Sequence, residues 1–294
     1  LADGEPLSLS ANPHRAGRRC VPASALSVPD IDWQAPWLSD WRAVGEPIAQ
    51  QVAAGCPQPE ALNQALKQAL QPAPAALPVR FVPQAQLPEG QAYEDFIFAH
   101  GQVPTREGLH DFFNALCWMH FPLAKKRLNQ LQAREIARAG VGQVRGPVRD
   151  AATVFDENAW LIQPSDALWA ALSEHRWTQA LVELRAEWAH TRLWAFGHAA
   201  LEKAVQPYKS ITVHLWRVPQ DVAAADLDGW LAQDLTPEKL AGKPFSPLPL
   251  LGVPGWWPEN ENPAFYDDAS VFRPRRQRAS AEKPYANSEI WPWA

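Results

Sequence analysis

Two periods of apolar residues run along the chain, and each predicts its own elements. In PQPEALNQALKQALQP (57–72) Leu62, Leu66 and Leu70 fall on one side of a plain amphipathic helix. Trp33, Trp37 and Trp41 also recur every four residues, so a short helix starting near Pro36 would staple this segment to the core. The densest periodic stretch is 101–140. Thr105 follows Pro104 as an N-cap, Pro122 restarts a second helix and Gly140 supplies the stop, which predicts helices over 105–121 and 122–139. The period then changes. AATVF and AWLIQ read as strand-like runs separated by Asp156, Glu157 and Asn158, hence a β-hairpin across 151–163. Ser165 or Asp166 caps a helix that runs to Glu174, and 178–189 continue helically. Residues 191–218 have a strand–helix–strand rhythm: RLWAF, a turn at Gly197, HAALEKAV, then ITVHLWRV.

Prolines divide these elements. Five of them in PAPAALPVRFVPQAQLPEG (72–90) exclude a helix and leave a linker around one short strand, LPVRFV. The expected architecture is α+β and mostly helical, with a small sheet built from the hairpin and the strand–helix–strand unit, and long Pro/Trp-rich ordered loops. Its parts are a flexible arm (1–30), a helical subdomain (31–72), the main α+β domain (73–272) and a basic C-terminal segment (273–294). The remainder from Lys243 reads as an ordered wrap pinned by Trp256, Trp257, Phe265 and Tyr266.

Composition narrows the class. A chain of 294 residues with 47% hydrophobic and 20% charged residues is globular, and its 29 prolines and 15 tryptophans point to ordered loops rather than helical repeats. A net charge of −5 argues against nucleic acid or anionic membrane as a partner of the whole surface. RPRRQR (273–278), beside Arg15, Arg18 and Arg19, is the one dense basic cluster and reads as a solvated segment; nucleic acid is not the expected partner. No run is long and apolar enough to span a membrane, and no signal peptide is visible. Cys20, Cys56 and Cys117 are odd in number and form no CxxC, so they read as reduced thiols of a cytoplasmic protein.

Four segments carry a family resemblance: GQVPTREGLHDFFNALCWMHFPLAKKRLN, RGPVRDAATVFDEN, FGHAALEKAVQP and GVPGWWPENENPAFYDDASVFR. In order and spacing they resemble the bacterial domain of unknown function 3025, over roughly residues 75–275. Ala159 stands where that family has Gly after the FDEN segment. The resemblance implies a bacterial protein and brings no activity, cofactor or fold with it.

The candidate chemistry comes from the residues themselves. His110, Asn114 and Cys117 share one helix face, with Asp111 beside them, and the two adjacent carboxylates Asp156 and Glu157 lie soon after in the chain. A histidine that titrates near neutrality, oriented by a carboxylate, is the usual acid–base pair, so His110, Asp111, Asn114, Asp156 and Glu157 form the candidate catalytic set. A buried polar network with a plain polar turn is the competing reading. Lys125 and Asn129 on the next helix, with Arg149 and Lys203, are candidate substrate-binding groups. His198 and Glu202, at i and i+4, with His214 on the following strand could hold a divalent metal, although a helix-start histidine satisfied by backbone is the commoner explanation of His198. Cys117 lies nearly two turns from His110, too far for a Cys–His pair. No GxGxxG after a strand, Walker loop, GxSxG or HExxH is present. The expected function is a metal-assisted or His-dependent hydrolase or phosphotransfer-type enzyme for a small molecule. The alternative is a non-enzymatic binding or scaffold protein that uses Trp-rich surfaces.

Overall fold

The computed structural model describes residues 27–69, 79–140 and 146–275. The proposed N-terminal arm through residue 26, with Arg15, Arg18, Arg19 and Cys20, lies outside these, as do most of the basic C-terminal segment and the proline-rich run up to residue 78.

A 3₁₀ turn, Pro36–Leu38, leads into α1 (Ser39–Ala53), and α2 (Gln58–Ala69) follows. Trp33, Trp37 and Trp41 are all buried, and the Trp37 indole donates to the Ala204 carbonyl at 3.2 Å, which ties this first segment to a helix 167 residues later. β1 (Arg80–Pro83) and β2 (Gln102–Thr105) pair in parallel, joined by α3 (Tyr93–His100). Thr105 therefore ends a strand rather than capping a helix. Gly108, at φ 124°, turns the chain, and α4 (Leu109–His120) starts four residues later than expected. Its entry is fixed by Asp111, whose carboxylate accepts the Arg106 backbone N–H at 2.6 Å and its guanidinium at 2.9 and 3.0 Å. After Pro122, α5 (Pro122–Ala139) runs to Gly140 as the sequence predicts.

The expected hairpin is absent. α6 (Pro147–Asn158) takes the AATVF run, and only AWLIQ is a strand, β3 (Ala159–Gln163). Pro147 at the first helical position, Asp150 in the first turn and buried Ala151, Ala152 and Phe155 on one side are helix features. A five-residue apolar run does not reveal its period, and packing chose the helical one. β3 is buried along its whole length, as a central strand must be. Ser165 caps α7 (Asp166–Ser173) by accepting the Leu168 N–H at 3.1 Å. The helix expected over 178–189 opens into a π turn (Gln179–Glu183) and a 3₁₀ turn (Arg185–His190). The reason is local: Leu184 N bonds Gln179 O rather than Ala180 O, and the freed Ala180 carbonyl accepts the buried Trp188 indole at 2.8 Å.

β4 (Arg192–Ala195), α8 (His198–Ala204) and β5 (Thr212–Arg217) form the expected strand–helix–strand unit. α9 (Leu227–Asp234) and α10 (Pro237–Ala241) precede β6 (Ser246–Pro249), and the sheet order is β4-β3-β5-β6, with only β3 and β5 parallel. The fold is thus mostly helical α+β with two small sheets. Beyond β6 the chain wraps back over the body. Trp256 packs on Trp37 and Trp160, and the Tyr266 hydroxyl donates to the Gly252 carbonyl at 3.1 Å. Among the described residues no helix is long and apolar enough to cross a membrane.

Gly197 sets the position of α8. A Cβ there would stand 2.5 Å from the Asn158 backbone nitrogen, and the Gly197 N–H bonds the Ala159 carbonyl at 2.7 Å. Gly197→Ala must therefore push α8 away from the end of α6, at a cost of about 1–3 kcal/mol. Denaturant unfolding measures it; a variant as stable as the parent would show that the two backbones are not in fixed contact.

Candidate functional site

The junctions α6–β3 and β4–α8 lie side by side, held by the Gly197 contact, and both face the first turns of α4 and α5. This places the C-terminal end of α6, with Asp156 and Glu157, opposite His198 at the start of α8 and His110 on α4. A cavity of about 320 Å³ opens among them, bounded also by α3. His110, Asp111, Asn114, Lys125, Asn129, Asp156, Glu157 and His198 all line it, together with Tyr93, Glu94, Arg106 and an apolar side that includes Ile97, Trp118 and Leu128. The carboxylates thus reach the histidine helix from a helix end rather than from a hairpin turn.

His110 is bonded through both ring nitrogens. Nδ1 lies 2.9 Å from Glu202 Oε2, and Nε2 lies 3.2 Å from His198 Nε2. The Glu202 hydrogen bond raises the His110 pKa above its ordinary value, against the opposing effect of its partial burial. His198 is pushed down to about 4, chiefly by burial, with Lys125 and His110 adding to the effect. Two ring nitrogens this close together hold one proton well and a second poorly. The pair therefore takes up one proton, on His110, and His198 stays neutral and accepts from it.

A second chain of bonds runs along the neighbouring wall. Lys125 is buried, and its ammonium donates to Asp156 Oδ1 at 2.5 Å and to Asn114 Oδ1 at 2.7 Å. An ammonium can only donate, so the orientation of the Asn114 amide is fixed: its Nδ2 points at the Tyr93 hydroxyl oxygen, 3.0 Å away, and must donate to it. Enclosure pushes the Asp156 carboxyl up, yet Lys125 and the histidines outweigh this and hold it below its ordinary value. Burial, with Asp111 and Asp156 nearby, raises the Tyr93 phenol, which is therefore neutral at any ordinary pH.

Not every expected residue arrives here. Arg149 is buried behind the wall, 3.9 Å from Glu94, whose backbone carbonyl also accepts from Asn129. Lys203 is exposed, on the far side of α8 from the cavity lining. The expected metal set is not assembled. His198 and Glu202 converge on His110 rather than on an ion, and His214 lies on β5 against the Phe245 ring, away from the cavity. Among the described residues no group of three or more His, Cys, Asp or Glu side chains is arranged to hold a metal. Cys117 is buried, donates to the Phe196 carbonyl and is raised by its burial, so it is no nucleophile. Tyr93 and Arg106 are the participants the sequence did not disclose. Arg106, five residues before Asp111, could have been found from the charge pair; a single tyrosine at the start of α3 gives no such signal.

Neither the comparison with curated proteins nor that with solved structures gave a match. A family model, described as a protein of unknown function (DUF3025), matches residues 79–276, a span that contains every cavity residue named above. The chain belongs to the DUF3025 family.

Proposed function

We propose that the protein is a His-dependent hydrolase that activates water with His110 and acts on a small, uncharged or cationic molecule. The observation that carries this reading is the double bonding of the His110 ring at the cavity wall, to Glu202 on Nδ1 and His198 on Nε2. Above its raised pKa, His110 gives up the Nε2 proton and becomes a base whose ring is already oriented by a carboxylate. When it takes a proton from water, the Glu202 carboxylate stabilises the imidazolium through its contact with Nδ1. Neutral His198, with its Nε2 beside that of His110, does not compete for the proton.

Charge supports the choice of substrate. Carboxylates outnumber cations among the cavity residues, since Arg106 is paired with Asp111 and Lys125 with Asp156, while Glu157 forms no salt bridge among the described residues. An anionic substrate such as a phosphate ester meets no unpaired cation there, which moves the reading from phosphotransfer to hydrolysis. Among the described residues no activated serine or cysteine lines the cavity, which favours direct attack by water. The scaffold alternative can draw on Trp169, Trp194, Trp230, Trp256 and Trp257, which are half-buried, but not on Trp33, Trp37, Trp41, Trp118, Trp160, Trp177, Trp188 and Trp216, which are buried in the core. Cys56 and Cys117 are free thiols, in keeping with a reducing, cytoplasmic setting.

The test is turnover of a panel of neutral and cationic p-nitrophenyl esters and aminoacyl p-nitroanilides. His110→Gln should lower the rate by about 10²–10⁴-fold with the fold intact. The rate of the parent should rise with pH through an apparent pKa above 6.5, and Glu202→Gln should move that limb down. A His110→Gln variant as active as the parent would overturn the assignment.

A further inference from the structure

The wall opposite the histidines contains a polar group that water activation alone does not use. We infer that the Tyr93 hydroxyl donates to a substrate carbonyl oxygen and stabilises the oxyanion that forms there, so that the substrate class is a small ester or amide. This rests on the hydrolase reading and assigns it an electrophilic side.

Hydrogen-bond direction fixes the role of the Tyr93 hydroxyl. Lys125 can only donate, Asn114 Oδ1 accepts from it, and Asn114 Nδ2 must then donate to the Tyr93 oxygen. Tyr93 is thereby an acceptor towards Asn114, and its own O–H is left to donate. Tyr93 lines the cavity, and Asn114 is the single hydrogen-bond partner of its hydroxyl among the described residues. The ammonium polarises the amide, and the amide, by donating to the phenol oxygen, makes the phenol O–H a stronger donor. A device of this kind costs a buried lysine, a buried asparagine and a paired carboxylate. Merely fixing the position of α3 would need none of that charge. Donors fixed in advance, aimed at the point where charge develops, are among the largest contributions to acyl-transfer rates.

Water oxygen bonds to the carbonyl carbon as its proton passes to His110 Nε2. The C=O electron pair moves to the oxygen facing Tyr93. Collapse restores the C=O bond and breaks the bond to the alcohol or amine, which leaves with the proton held by His110. No oxidant, metal or second substrate is required.

The experiment uses the p-nitrophenyl ester and p-nitroanilide panel with the parent, His110→Gln, Tyr93→Phe and a form with 3-fluorotyrosine placed at position 93. Tyr93→Phe should lower kcat by about 10²–10³-fold with KM little changed and the melting temperature within the range of the parent. The fluorinated phenol, a stronger acid of nearly the same shape, should restore the rate to at least that of the parent, which a purely structural tyrosine would not require of its acidity. If His110→Gln abolishes turnover but Tyr93→Phe does not, or if Tyr93→Phe changes KM alone, this inference fails and the hydrolase reading stands. If the parent hydrolyses none of the panel, both fail.

Discussion

Lys125→Met should destabilise the protein by about 3 kcal/mol, because it leaves the Asp156 carboxylate without the cation that holds it ionised. The side chain of Lys125 is 4% exposed and that of Asp156 21%, so water can recover part of the loss, which sets the cost at the low end for a broken buried pair. Asn114 loses its donor in the same variant, and with it the fixed direction of its amide. Adding Asp156→Asn should recover much of the lost stability, since a neutral amide does not need the ammonium. Denaturant melts of the two single variants and the double variant measure the coupling. Simple additivity would mean that the pair is a surface contact, and the wall described above would lose its organising charge.

Acid should weaken the fold through His198. An imidazole with a lower pKa in the folded chain than in the unfolded one binds fewer protons when folded. Stability is therefore full above the unfolded value of 6.5, falls as pH drops below it and levels off beneath about 4. Between those limits this one ring contributes a loss of about 3 kcal/mol. His120, His175 and His214 are lowered by burial as well and add to the same limb. The contribution of His198 is isolated by comparing stability curves of the parent and His198→Asn across pH 4–7, where the variant should show the shallower slope. His110 acts in the opposite sense. Its raised pKa stabilises the fold below 6.5, and that stabilisation is lost as pH rises through the folded value, with only a small amplitude because its side chain is 37% exposed.

Which parts of this molecule were legible in its sequence follows from the physics of each part. α5 was legible because Pro122 and Gly140 mark both its ends, and the β4–α8–β5 unit because its period changes at Gly197. The tryptophans every four residues gave the N-terminal staple, since all three rings are buried, although only Trp41 stands in α1. AATVF failed because five apolar residues fit either period, and its helix is decided by contacts with residues far along the chain. The site was half legible. His110 and Asn114 share a helix face by arithmetic, whereas their meeting with Asp156 and His198 depends on two chain junctions touching at Gly197, which no local pattern encodes. The His198–Glu202 spacing was visible but its object was not: both side chains serve His110, a residue from another helix. His214 looked equivalent in the sequence but packs against the Phe245 ring, from a strand that pairs with β3 at Ala159.

The Glu202–His110–His198 relay is central to the proposed chemistry, and NMR titration of the labelled imidazole rings tests it without any knowledge of the substrate. The two facing rings should take up one proton between them with a midpoint above 6.5, carried by His110, and resist a second until about pH 4. Glu202→Gln should lower the first midpoint and leave the second nearly in place. Two independent titrations near 6.5, unmoved by Glu202→Gln, would contradict the relay and return His110 and His198 to the status of ordinary polar residues at a cavity edge.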